Sequence, residues 1–129
     1  MERIGAAEPS PFINPAEEEK VLANELCYAR WDKYPVSEGH LLIVPYRQVR
    51  TYFDAAPEEK EAIWALVEEA KCFLDSRFHP DGYNIGINVG EAAGQTVMHL
   101  HVHLIPRYAG DTEEPRGGVR GVIPSKQKY

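Results

Sequence analysis

The chain has 129 residues, of which 43% are hydrophobic and 26% charged, with a formal net charge of −6. That suits one packed domain and excludes wholesale disorder. No apolar run approaches the roughly 18 residues of a membrane span, and the acidic balance speaks against a general nucleic-acid binder, though not against a small anionic ligand held in one local pocket.

The first ten residues, MERIGAAEPS, show no apolar segment of the secretory kind. Residues 1–25 carry six acids against Arg3 and Lys20, and Pro9, Pro11 and Pro15 make residues 1–18 an irregular lead-in with one short helical turn. Two short extended runs follow, at 20–24 and 26–32, then a loop through Pro35 and Gly39. His40-Leu41-Leu42-Ile43-Val44 reads as a strongly apolar strand stopped by Pro45. Residues 57–77 form the one long helix: Pro57 suits its first turn, and Glu58, Glu59 and Glu61 suit the positive end of its dipole. Ile63, Leu66, Val67, Ala70, Phe73 and Leu74 recur at helical spacing and make one apolar stripe. Pro80-Asp81-Gly82 breaks the chain, and His79 before it reads as an exposed helix-end residue.

Residues 83–89 alternate, with Tyr83, Ile85, Ile87 and Val89 on one side and Asn84, Gly86 and Asn88 on the other. A glycine-bounded loop, 90–94, leads to a second alternating strand at 97–105, stopped by Pro106. These elements imply an α+β fold: an antiparallel β-meander of about five strands with one long amphipathic helix packed on one face. Cys27 and Cys72 stand 45 positions apart with no Cys-x-x-Cys, which fits a reducing cytoplasm better than a disulfide framework or a cysteine zinc site.

Three of the five histidines fall at His99, His101 and His103. On a strand they share one face, about 6.7 Å apart, while Met98, Leu100, Val102 and Leu104 share the core face. Surface scatter explains the alternation poorly. Metal binding by neighbouring His-x-His side chains is open, but an outer pair about 13 Å apart cannot share one ion, given metal–nitrogen bonds near 2 Å. The nearby carboxylates, Glu91 and Asp111, are few and lie in flanking loops. The third reading is nucleophilic catalysis: neutral imidazole attacks phosphorus well, neighbouring rings can fix its tautomer, and Gly94, Gln95 and Thr96 supply donors for an anion.

The stretch Gly94-Gln95-Thr96-Val97-Met98-His99-Leu100-His101-Val102-His103-Leu104-Ile105-Pro106-Arg107 resembles the signature of the histidine triad (HIT) superfamily of nucleotidyl hydrolases and transferases. The block from Pro35 through Gly39-His40 to Pro45 and the strand around Tyr83 to Asn88 resemble further blocks of that family, so the likeness covers about residues 12–107. It implies an irregular segment at 1–11, a HIT domain at 12–108 and a basic tail at 109–129. It also implies that His101 is the nucleophile on the α-phosphorus of a nucleotide conjugate, giving a covalent nucleotidyl-histidine that water releases as a nucleoside monophosphate. His103 would touch the phosphate and help the leaving group, and His99 and His40 would orient the rings. Asn88, Gln95 and Thr96 would lie around the phosphate, Asp32 would bind the ribose, and Leu42 would lie near the base. The bland alternatives are a plain core position for Leu42, a solvated turn for Asp32 and a satisfied core histidine for His40.

Where many bacterial relatives carry a zinc-binding Cys-x-x-Cys, this chain reads Ser10-Pro11-Phe12-Ile13, so no structural zinc and no resident cofactor are expected. Mg²⁺ can accompany a polyphosphate substrate. Gln-Thr-Val before the motif and Pro-Arg after it look more like the Fhit-like branch, which cleaves dinucleoside polyphosphates, than the Hint-like branch, which cleaves nucleoside phosphoramidates. The resemblance also implies a homodimer, built on the long helix and a strand edge, that acts on a small nucleotide and on neither nucleic acid nor membrane. The tail, with Arg116 and Arg120 among glycines, suits a strap over a polyphosphate, a dimer contact or an unstructured end. The rival class is a non-catalytic nucleotide-binding module with the same pocket.

Overall fold

The computed structural model describes residues 9–129; the first eight residues of the expected lead-in lie outside them. Five strands, β1 (Leu22–Ala23), β2 (Cys27–Trp31), β3 (Leu41–Pro45), β4 (Gly82–Ile87) and β5 (Val102–Arg107), form one sheet, and the helix α1 runs over Pro57–Phe78 between β3 and β4. Every pairing is antiparallel, and the order is β1-β2-β3-β5-β4. The expected meander therefore holds from β1 to β3 and is then interrupted. The helical connection carries the chain past a vacant place to the edge strand β4, and β5 fills that place.

The apolar stripe of α1 dictates where the sheet buries its first face. Ile63, Leu66, Val67, Ala70 and Leu74 pack against Cys27, Ala29, Leu41, Ile43, Val102 and Leu104. Successive strand residues point to opposite faces, so the intervening residues Tyr28, Arg30, Leu42, Val44 and His103 face away from the helix. A smaller cluster of Phe12, Tyr28, Leu42 and Val44 covers part of that second face. The sheet thus keeps its main core on one side and exposes a partly covered platform on the other.

At the start of α1 the Glu59 carboxylate accepts the Ala56 N–H and a two-point contact from Arg47, with Nε–Oε2 at 3.0 Å and NH2–Oε1 at 2.7 Å. Those bonds hold its carboxyl below the usual carboxylate range. The helix ends where His79, exposed as expected, adopts a left-handed conformation with φ 54°.

The last strand differs from the sequence expectation. Residues 97–101 are not strand, and β5 starts only at Val102. Just before that point Leu100 N–H is taken by the Val49 carbonyl at 2.8 Å, outside the sheet ladder. The histidines therefore do not form one straight row.

Gly39 sets the entry to β3. Its φ is +91°, and a Cβ there would meet the Phe78 ring at 3.0 Å and the Pro106 ring at 3.2 Å. Replacing Gly39 with Ala is expected to lower the unfolding free energy by about 1–3 kcal/mol, from left-handed strain and crowding together. Urea titration checks this, and an unshifted midpoint would show that the turn relaxes freely.

Candidate active site

The platform face carries a cavity of about 1070 Å³, near the upper end of the usual range for small-ligand sites. Its lining includes Phe12, Asp32, His40, Leu42, Asn88, Thr96, His101 and His103. Of the sequence-derived candidates, these seven besides Phe12 come together. His99 and Gln95 do not line it.

His99 is fully buried and faces inward. Its Nε2 lies 2.8 Å from the Pro45 carbonyl, which can only accept, so Nε2 carries the proton. Nδ1 is then an acceptor and takes the Ser10 hydroxyl at 2.7 Å, while Ser10 Oγ itself accepts the Phe12 N–H at 3.0 Å. The backbone carbonyl of His99 accepts from His101 Nδ1 at 2.8 Å. A carbonyl accepts only, so the His101 proton sits on Nδ1. The lone pair on His101 Nε2 is left free, and the ring lines the cavity.

A second chain fixes His103. The Val36 N–H donates to His40 Nδ1 at 3.0 Å. His40 in its neutral form therefore holds its proton on Nε2, which donates to His103 Nδ1 at 3.0 Å. The remaining proton of His103 is on Nε2, a donor offered to the cavity. Asp32 Oδ2 stands 3.4 Å from His40 Nε2 and 3.9 Å from His103 Nδ1, and its Oδ1 accepts the Tyr34 N–H at 2.8 Å. Asp32 is thus no free turn residue. It is also the carboxylate that a search of the motif's own neighbourhood in the sequence misses.

Asp32, His40 and His103 bring potential metal-ligand atoms within 4.8 Å of one another, the one such group among the described residues. A metal ion there would have to replace the His40–His103 hydrogen bond.

Burial lowers the pKa of His40, His99 and His103. The effect on His103 is large: burial, aided by the neighbouring His101 and His40 and opposed by Asp32, pushes it down to about 4. These rings are accordingly neutral near pH 7, as the hydrogen-bond directions require.

Gln95 has a different task from the one expected. Its Oε1 accepts the Gly90 N–H at 2.9 Å, and its Nε2 donates to the Arg50 and Val97 carbonyls at 2.7 and 3.1 Å. The buried amide is spent on holding the loop that delivers Thr96 and the histidines.

Phe12 and Arg30 escaped the sequence reading. The Phe12 ring meets His99 and His101 edge-on, at 5.6 and 5.2 Å between centroids. The Arg30 guanidinium lies over Phe12 and donates to the Pro11 carbonyl at 3.3 Å. Alternation along β2 places Arg30 on the platform face, which was the available signal.

In the tail, Arg120 donates to the Gln127 and Lys126 carbonyls and stacks on Tyr129, as Arg116 also does. The tail residues that line the cavity are Gly118, Val119 and Val122.

Residues 14–110 match the HIT domain family. The chain belongs to that family. It is 36% identical over 102 residues to the AP-4-A phosphorylase of Mycobacterium tuberculosis, covering 78% of this chain and 52% of that protein. It is 35% identical over 97 residues to the bis(5'-adenosyl)-triphosphatase of Dictyostelium discoideum, covering 75% of this chain and 65% of the relative. The chain thus spans about half to two thirds of the length of these curated relatives. Among solved structures, a HIT family protein from Bacillus anthracis superposes with a TM-score of 0.69 at 38% identity, covering 72% of this chain and 66% of that one.

The neutral rings couple stability to pH. A histidine whose pKa is lower in the folded state binds fewer protons there than in the unfolded chain, so stability is full above the unfolded value near 6.5 and is lost as pH falls toward the folded value. With His103 at about 4, the loss spans roughly pH 6.5 to 4 and amounts to the order of 1–2 kcal/mol at pH 5. Urea midpoints at about pH 7.5 and pH 5 check this; equal midpoints would mean that the rings protonate without strain.

Proposed function

We propose that this HIT domain protein is a nucleotidyl hydrolase that cuts at the α-phosphate of a nucleotide conjugate through a covalent intermediate on His101. The observation that carries the reading is the His101 tautomer: Nδ1–H is committed to the His99 carbonyl, leaving a free Nε2 lone pair in the cavity. Nε2 bonds to the α-phosphorus while the bond from phosphorus to the leaving oxygen or nitrogen breaks. His103 Nε2–H donates to a phosphate oxygen or to the departing atom. Water then attacks the phosphorus, the N–P bond breaks, and a nucleoside monophosphate leaves. Asp32 and Leu42 hold the ribose and base, and Asn88 and Thr96 border the phosphate; all four line the same cavity.

The two named relatives act, by their names, on diadenosine polyphosphates. That supports a dinucleoside polyphosphate over a phosphoramidate and agrees with a Fhit-like activity. No resident metal takes part; Mg²⁺ comes with the substrate's phosphates. The protein works in the reducing cytoplasm, where Cys27 and Cys72 stay as thiols.

The wild-type protein is expected to release AMP from diadenosine tetraphosphate, with His101→Ala slower by the order of 10³-fold or more while still binding AMP. Tight AMP binding without turnover in the wild type would favour the non-catalytic binding module instead.

The protein also pairs as a homodimer. Among the described residues no strand pairs with the outer edge of β4, and Ile85 upon it and Trp64 on α1 are large apolar residues left partly exposed. Sedimentation equilibrium should give twice the chain mass, and Ile85→Lys should shift it to one; a wild-type monomer at micromolar concentration would overturn this.

A further inference from the structure

The tail lies outside the residues that match the family, yet it forms part of the cavity wall. It is built to hold one shape. Gly117 has φ +94°, and a Cβ there would collide with the Gln127 carbonyl oxygen. Gln127 Nε2 donates to the Arg116 carbonyl at 3.2 Å, and Arg120 is clamped on the carbonyls of 126 and 127. This clamp supports a short 3-10 turn, Gly118–Val122. The turn leaves Val119 64% and Val122 79% exposed while both line the cavity. An ordered segment thus presents two apolar side chains to the cavity, where they can meet an apolar part of a ligand.

The sheet register locates this wall. On the platform face Leu42, His103 and Gly86 stand side by side across β3, β5 and β4. Val44 lies one step along the strands in one direction, with Phe12 covering it and touching His101. Ile105 and Asn84 lie one step in the other direction, each step being about 6.7 Å. The tail rests there: a Cβ on Gly118 would lie 3.5 Å from Asn84 Nδ2, and Arg107 fixes the Asn84 amide through Oδ1 at 2.7 Å. His101 and the tail therefore occupy opposite ends of the face, with His103 between them.

Displacement at phosphorus is in line, so the departing atom must lie on the far side of the phosphorus from His101 Nε2. Far from His101 on this platform means Ile105, Asn84 and the tail. From this we infer that Val119 and Val122 form the apolar floor of a second nucleoside subsite, which takes the base of the leaving half of a two-nucleoside polyphosphate. This rests on the hydrolase reading and adds to it the residues that select the leaving group.

The test uses the full chain, wild type against Val119→Ser with Val122→Ser, and separately Gly117→Ala, which disturbs the tail without touching the cavity surface. kcat/KM is measured for diadenosine tetraphosphate and for adenosine 5'-phosphoramidate, whose leaving group carries no nucleoside. Kd is measured for AMP and for a non-hydrolysable diadenosine tetraphosphate analogue. In both variants kcat/KM for the two-nucleoside substrate should fall about tenfold, mainly through KM, and the analogue should bind about tenfold more weakly. AMP affinity and phosphoramidate turnover should stay within twofold. Equal losses on both kinds of ligand would place the tail on the transferred nucleotide and overturn the assignment, as would no loss on either. If the wild type binds AMP but gains nothing from the second nucleoside, the subsite fails while the hydrolase reading stands. If it turns over neither substrate yet binds the analogue more tightly than AMP through the valines, the hydrolase reading fails and the subsite stands.

Discussion

The site depends on a single hydrogen bond from His101 Nδ1 to the backbone carbonyl of His99. An imidazole has two nitrogens and, when neutral, one proton. Which nitrogen keeps a free lone pair is therefore decided by which one is tied up. A backbone carbonyl is an acceptor that cannot reverse its role, so it fixes the tautomer more firmly than a hydroxyl or a second histidine would. The position of that carbonyl in turn depends on His99. Its ring is locked at both nitrogens, by Pro45 on one side and Ser10 on the other. His99 acts from behind the cavity: it holds the peptide group that orients the His101 ring.

The break in the last strand follows from the same constraint. In a continuous strand, alternate side chains stand in a row on one face, and a ring two positions on would lie about 6.7 Å away. The observed centroid distance between His101 and His103 is 5.2 Å. Leaving the ladder before Val102 lets the backbone turn His99 inward, brings its carbonyl against the next ring and tightens the remaining pair. The strand resumes at Val102, where the register with β3 and β4 sets His103 beside Leu42 and Gly86. Gly86 opposite His103 leaves room above the sheet where any side chain would fill it.

Which parts of this were legible beforehand follows from the range of the forces involved. The helix, its apolar stripe and the strands around Leu42 and Ile85 are local patterns, and period-2 and period-3.6 repeats report them directly. The histidine signature pointed to His101 and His103 by resemblance. Three things lay beyond local pattern. The inward turn of His99 needs Ser10, 89 positions away in sequence. The pairing of Asp32 with His40 and His103 is made by tertiary contact between β2, β3 and β5. Gln95 offered a donor-rich amide just where an anion was expected, but the same amide can satisfy three backbone groups of its own loop. In a buried position leaving those groups bare would cost more than a ligand contact gains.

In the tail, packing rather than charge decides which groups face the cavity. Two arginines next to glycines look like a phosphate clamp, yet a guanidinium with five donors satisfies itself on any nearby set of carbonyls. Here residues 126 and 127 present those carbonyls at the right distance for Arg120. Glycine at 117 is what lets the chain come close enough for this to happen. With Arg120 engaged internally, the tail residues that face the cavity are Gly118, Val119 and Val122. A ligand would then meet two kinds of surface: neutral, tautomer-fixed imidazoles for its phosphate, and valine side chains at the end opposite the nucleophile. On the proposed reading the division of labour is set by geometry, because a group displaced by His101 must leave away from it, and the tail lies at that end of the face.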